Sequence, residues 1–222
     1  MTCILPDALN RAETLSYLGA AGRQIPPQVE TLLDRAEQEL WKTAAPRAAV
    51  RRMSVQLLQP LLQGEDIAAH MKNCEEGLLL GLTLGAKTDA ALRRALATDM
   101  AYAVVLDAAA CALVEQVADA LEEQLRRQLQ QENRYMTGRF SPGYGDWPIA
   151  VQPQFLQWLD AMRQAGICTT ESCVLTPSKS ITALCGIADR PVKGKLAGCE
   201  HCILRDICIK RKEGRACAKK DI

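Results

Sequence analysis

Apolar residues recur at three- and four-residue spacing from Val29 through Leu32, Leu33, Ala36 and Leu40 to Trp41, which predicts an amphipathic helix. Pro26 and Pro27 suit its first turn. Upstream, Asp7 is placed to cap a helix through LNRAETLSYL, with Gly19 or Gly22 ending it. Residues 47–58 (RAAVRRMSVQLL) read as a strand, and Asp66 as the cap of a short helix through IAAHMKN. The run LLLGLTL at 78–84 is short, apolar and closed by Gly85, as for a buried strand. Helical character then holds from Thr88 to about Gln131, too long for one globular helix, so a break is expected at ATDM (97–100). The second segment, about 30 residues, spans ~45 Å at 1.5 Å per residue. Residues 152–166 predict one more helix, with Phe155, Leu159 and Met162 on one face and Gly166 as its stop. ICTTESCVLTP and SITALCGIA follow as two strands joined by a turn around Pro177, Ser178 and Lys179. From Asp189 the chain is basic, dotted with glycine and rich in cysteine.

Helices and strands alternate irregularly, so the fold class is α+β rather than a regular βαβ array. The divisions fall at 1–60 (N-terminal helices and first strand), 61–188 (a core) and 189–222 (a small cysteine-rich appendage). Lys and Arg (27) nearly balance Asp and Glu (26) over 222 residues, which argues against a nucleic-acid partner. No basic and apolar leader precedes the first helix, and Asp107 and Glu115 interrupt the most apolar stretch, AYAVVLDAAACALVEQV. A cytoplasmic protein without a membrane partner is the expectation. In that reducing setting Cys74, Cys111, Cys168, Cys173 and Cys185 read as small buried hydrophobes, and Cys3 is uninformative.

Two features carry chemistry. The loop RFSPGYGDWP (139–148) holds Phe140, Tyr144 and Trp147, a third of a sparse aromatic complement of two Phe, four Tyr and three Trp. Local physics allows an ordered connector, since Pro-Gly signals a turn and rings pin loops to cores. It equally allows a ligand cradle: Gly143 and Gly145 admit close approach to backbone, Pro142 fixes its path, and Arg139 offers a planar fork for a carboxylate or phosphate. The second feature is Glu115. Ala101, Val104, Ala108 and Cys111 read as one apolar face of the long helix, Glu115 falls on that face, and Asp119 and Glu122 follow. A carboxylate at that border is either a snorkelling surface group or the lip of a pocket.

The series Arg139, Pro142, Gly143, Tyr144 and Pro148, then Thr170-Glu171-Ser172, then Pro177 and Ser180, resembles in order and spacing the activation domain of cobalamin-dependent methionine synthase. LLLGLTLGAKTD, ATDM and LVEQVADALEEQLR extend the resemblance over roughly 65–188. With LSYLGAAG included, the chain is similar to the free-standing forms of that domain in anaerobic bacteria. The resemblance implies an antiparallel sheet with long helices, and S-adenosylmethionine binding in a shallow groove. It places Arg139 against the methionyl carboxylate, backbone of Ser141 and Gly143 on the nucleoside side, and Tyr144 beside the sulfonium. Glu115 matches a further carboxylate of that site. An N-terminal aspartate of the family site has no counterpart in this chain, and Glu122-Glu123 stand where the family often has His-Glu.

In the appendage, Cys199, Cys202, Cys208 and Cys217 have the spacing of a metal site, with His201 as a spare ligand. Zn²⁺ and a [4Fe–4S] cluster both fit. The function that the resemblance implies is reactivation of a cobalamin-dependent methionine synthase, or a related corrinoid protein, in trans. The chain would present S-adenosylmethionine as methyl donor for reductive methylation of cob(II)alamin, with the electron from a flavodoxin or another donor. No residue reads as a nucleophile or general base, so the chain is an accessory subunit rather than an independent catalyst. An ordinary S-adenosylmethionine methyltransferase is disfavoured, because no glycine-rich strand-to-helix turn with a following acidic residue is present. The alternative is a non-catalytic partner-binding or metal-sensing protein that has lost the ligand.

Overall fold

The structure, a computed structural model, describes residues 1–192. The four-cysteine segment, Cys199, Cys202, Cys208 and Cys217 with His201, lies outside the described residues. The order of elements is α1 (Arg11–Tyr17), α2 (Pro27–Thr43), β1 (Arg47–Ser54), α3 (Val55–Leu58), α4 (Glu65–His70), β2 (Glu76–Thr83), α5 (Ala86–Thr98), α6 (Met100–Gln131), β3 (Tyr135–Met136), α7 (Gln152–Leu159), α8 (Ala161–Ala165), β4 (Cys168–Thr169), β5 (Leu175–Thr176) and β6 (Ser180–Ala188). Four strands form a sheet in the order β1-β2-β6-β3, with β3 antiparallel to β6, and β4 and β5 form a separate antiparallel pair. Mixed helices and antiparallel strands make an α+β fold, as the irregular alternation predicts.

The described residues divide into two compact units: 1–49, 81–125 and 156–181 in the first, and 50–80, 126–155 and the described residues from 182 in the second. In the first unit, α2 starts with Pro27 at its first turn and buries Leu33, Ala36 and Leu40, the interior of the predicted stripe. The first helix is capped by Asn10, whose side chain accepts the Glu13 N–H at 3.0 Å, rather than by Asp7. The break in the long helical stretch falls at Asp99, which ends α5 in an extended conformation. Its carboxylate then accepts the Tyr102 N–H at 3.0 Å and starts α6. An 18-residue window of α6 is long and apolar enough to cross a membrane by composition, but 61% of that window is buried within the protein, as in a core helix.

Several expected elements are shortened or split. The strand from 47 ends at Ser54, where a helical turn takes over. The helix over 152–166 breaks at Asp160, whose φ of 53° is left-handed. That break turns Met162 outward (67% exposed), away from the buried Phe155 and Leu159. The strand expected over 167–177 is two two-residue strands around a turn that contains Thr170, Glu171 and Ser172. There Thr170 Oγ1 accepts the Val174 N–H at 3.1 Å and lies 2.9 Å from Ser172 Oγ, a local bonding pattern that competes with strand pairing. Of the five cysteines read as buried, only Cys185 is; Cys74, Cys111 and Cys173 are half-buried and Cys168 is exposed.

In the second unit, β2 and β6 are almost continuously buried, which explains their unbroken apolar runs. Two glycines let neighbours close on these strands. A Cβ at Gly77 would meet Leu58 Cδ1 at 2.4 Å, and one at Gly186 would meet Cys74 Sγ at 2.4 Å.

Candidate functional site

Thr137 anchors the start of the 139–148 loop. Its N–H donates to the Gly186 carbonyl (2.9 Å), and its hydroxyl oxygen accepts the Gly186 N–H (2.8 Å). A hydroxyl has one proton to give. Donated to the Gly138 carbonyl at 3.0 Å, it leaves Oγ1 to accept from Nε2 of the buried His70 at 2.9 Å. Arg126 adds two bonds, from Nη1 to the Met136 carbonyl and from Nη2 to the Thr137 carbonyl, the latter at 2.8 Å. Three residues on, Phe140 exchanges both backbone bonds with Leu184 (3.0 and 2.8 Å) and buries its ring between His70 and Trp147. Arg139 is therefore held between two fixed backbone points. Its side chain is half-buried, and Nη1 is a buried nitrogen without a hydrogen-bond partner, although the side chain is otherwise engaged.

Beyond Phe140 the loop is fastened on one side and open on the other. Trp147 is 1% exposed and donates Nε1–H to the Leu61 carbonyl at 2.7 Å. The Asp146 carboxylate accepts the N–H groups of Glu65 (2.7 Å) and Asp66 (2.9 Å), so the α4 terminus is capped from the loop and not by Asp66. Asp66 returns the contact, accepting the Asp146 N–H at 3.3 Å. Gly145, with φ +53°, sits where a Cβ would lie 2.0 Å from Asp66 Oδ2, so any side chain there would be strained by the backbone and would displace the Asp66 carboxylate. The connector role allowed by local physics is realised on this side of the loop. Asp146 and Trp147 supply the connector.

The open side carries Gly143 (φ +91°) and Tyr144, 50% exposed and set edge-on to the Phe140 ring at 6.1 Å. The Gly143 N–H donates to the Trp147 carbonyl at 2.9 Å, and the Ser141 carbonyl accepts the Tyr144 N–H at 3.0 Å. Those bonds leave the Gly143 carbonyl and a second lone pair of the Ser141 carbonyl unengaged by them. Arg139, Ser141, Gly143 and Tyr144 are thereby gathered on one loop.

Glu115 is described with the first unit, where it is half-buried on α6. The apolar face assigned to it differs in the structure. Of its four residues Ala108 is buried and Cys111 half-buried, but Val104 is 53% exposed and Ala101 is exposed, whereas Ala103, Leu106, Ala110, Leu113 and Val117 are buried. In so alanine-rich a helix, apolar residues lie on nearly all sides, and the packing buries most of them, leaving a narrow exposed face at Ala101, Val104 and Asp107. The turn between β5 and β6 is held by Asp89, whose carboxylate accepts the Ser178 N–H (2.8 Å) and hydroxyl (2.9 Å), while Ser180 Oγ donates to the Pro177 carbonyl at 2.6 Å. Among the described residues, no group of three or more His, Cys, Asp or Glu side chains could hold a metal ion.

Thr137 and His70, the two side chains that fix the loop's entry, carry no motif in the sequence; the one signal there is that His70 is one of only two histidines.

No protein-family model matches the sequence, and no curated protein matches it. Among solved structures, the MetH reactivation domain bound to AdoHcy matches with a TM-score of 0.61 over 94% of this chain and 82% of that one, at 16% identity. At that identity the likeness is one of fold: the fold of this chain is that of the MetH reactivation domain.

Proposed function

We propose that this chain binds S-adenosylmethionine and serves the reactivation of a cobalamin protein. The observation that carries the reading is the fold match along nearly the whole chain to a reactivation domain bound to AdoHcy. The loop fits such a ligand. Arg139 supplies a cationic fork, backed by two anchored residues, for the methionyl carboxylate. Tyr144 offers an exposed π-face suited to a sulfonium. Backbone groups of Ser141 and Gly143 would make the polar contacts on the nucleoside side. Glu115 joins this set on the motif resemblance alone.

The methyl donor is the substrate, and the corrin chemistry is supplied by a cobalamin-binding methionine synthase or related corrinoid protein. This chain's residues bind and orient the donor, as an accessory subunit whose contribution is positioning. An electron donor such as flavodoxin would act with it. The cysteines 199, 202, 208 and 217 are proposed to hold Zn²⁺ or a [4Fe–4S] cluster. An absorption spectrum of anaerobically purified protein with metal analysis decides between them: brown and bleached by dithionite for the cluster, colourless with stoichiometric zinc for the other, and neither metal overturns the site.

Calorimetric titration with S-adenosylmethionine tests the main reading. Wild type binds, and Arg139→Ala weakens binding by roughly 10- to 100-fold, the loss of one charge-assisted contact. Absence of binding by wild type overturns the proposal and leaves a partner-binding protein without the ligand.

A further inference from the structure

Lys179 and Cys111 form a second chemical cluster, within the first unit and not used by the proposed methyl-donor site. Lys179 Nζ lies 3.2 Å from Cys111 Sγ and 2.7 Å from Asp107 Oδ1. The lysine side chain is 11% exposed, against 56% for Asp107. Its backbone is tightly placed: its carbonyl accepts the Leu84 N–H at 2.9 Å and lies 3.5 Å from Thr83 Oγ1, and Ser178 before it is clasped by Asp89. Cys111 is fixed on α6. Neither partner is a loose surface side chain that meets the other by chance, since turn and helix hold them together.

We propose that Cys111 and Lys179 are an oxidation site at which the thiol and the amine become covalently joined when peroxide is the oxidant. In the first step the Cys111 sulfur attacks one peroxide oxygen, the O–O bond breaks, and the thiol proton leaves with hydroxide as water. The product is a sulfenic acid. A sulfenic acid condenses with an adjacent nitrogen nucleophile as it does with a thiol. Lys179 loses one proton to solvent by way of Asp107, its nitrogen attacks sulfur, the S–OH bond breaks, and hydroxide takes a second amine proton to leave as water. The balance is thiol plus ammonium plus hydrogen peroxide giving an S–N link, two waters and one proton. Sulfur is oxidised by two electrons and peroxide is reduced by two.

The resting pair is stable without oxidant. Burial raises the Cys111 thiol, Lys179 opposes that, and Asp107 and Glu115 add to it. Burial lowers Lys179, but the hydrogen bond to Asp107 and the neighbouring sulfur outweigh it and the amine stays charged. Oxidation at sulfur makes sulfur electrophilic, which a proximal amine can answer even when thiolate is scarce. The link would tie the turn between β5 and β6 to α6, independently of whether the chain binds S-adenosylmethionine.

The test treats the full chain with hydrogen peroxide, blocks remaining thiols, digests it and analyses the peptides by mass spectrometry. The expected result is a joined pair of peptides carrying Cys111 and Lys179, about 2 Da lighter than their sum and separated again by dithiothreitol. The pair is absent from Cys111→Ser and from Lys179→Arg, which keeps the charge but offers no amine. Recovery of Cys111 as free thiol, or as sulfinic or sulfonic acid with Lys179 unmodified, overturns the proposal. Because the wild-type protein gives the reading, failure of a variant to fold does not remove the test.

Discussion

Trp147 shows how one side chain does two jobs in the candidate loop. It fills the space beside Phe140 and Phe155 and donates to the Leu61 carbonyl, so Trp147→Ala removes a large buried ring and orphans a buried acceptor. The expected cost is about 3–5 kcal/mol of folding stability, read by urea denaturation. Trp147→Phe, which keeps most of the packing but not the N–H, should lose a good deal less. At Thr137 the residue-scale effect differs, because its hydroxyl closes a buried network with His70 and Gly186. Thr137→Val preserves shape and leaves those groups unpaired, for an expected loss of about 1–3 kcal/mol in the same measurement. The two variants separate packing from polar satisfaction.

Among elements, α4 is the clearest case of one segment stabilised from another. A six-residue helix has no stability of its own, and its first N–H groups are met by Asp146 from the loop. Asp146→Ala is expected to cost about 0.5–2 kcal/mol and to raise amide exchange at Glu65 and Asp66 ahead of the rest of the second unit. Unchanged exchange there would show that the loop does not hold the helix. The long helix α6 makes the complementary point. Its existence and its start at the Asp99 break were legible, because helical propensity and a capping aspartate are local. Which side is buried was not legible, because alanine fits every side and only packing chooses.

For the molecule as a whole, charge pairs set an acid limit. The guanidinium of Arg52 hydrogen-bonds Glu76 at 2.5 Å and holds its carboxyl below the ordinary range, against an opposing push from burial. A carboxyl lowered on folding stabilises the fold fully above its unfolded value, about 4.3, and loses that contribution as pH falls through the lowered folded value. The stability difference between wild type and Glu76→Gln should therefore be largest at neutral pH and shrink below about pH 4; a difference that grows with acid would reverse the assignment. The sequence by itself determined the α+β class, most helices, the buried strands β2 and β6, and the loop motif, because these rest on local periodicity, turn chemistry and residue order. It also carried the resemblance that the fold match bears out. Only the tertiary structure decided that Asp160 splits a helix, that Asp146 caps α4, and that Lys179 meets Cys111. Each depends on partners distant in sequence or on a backbone angle that local propensity disfavours, and neither leaves a periodic trace in the chain; the turn at Thr170-Glu171-Ser172 rests on short-range side-chain bonds that an apolar strand pattern does not display.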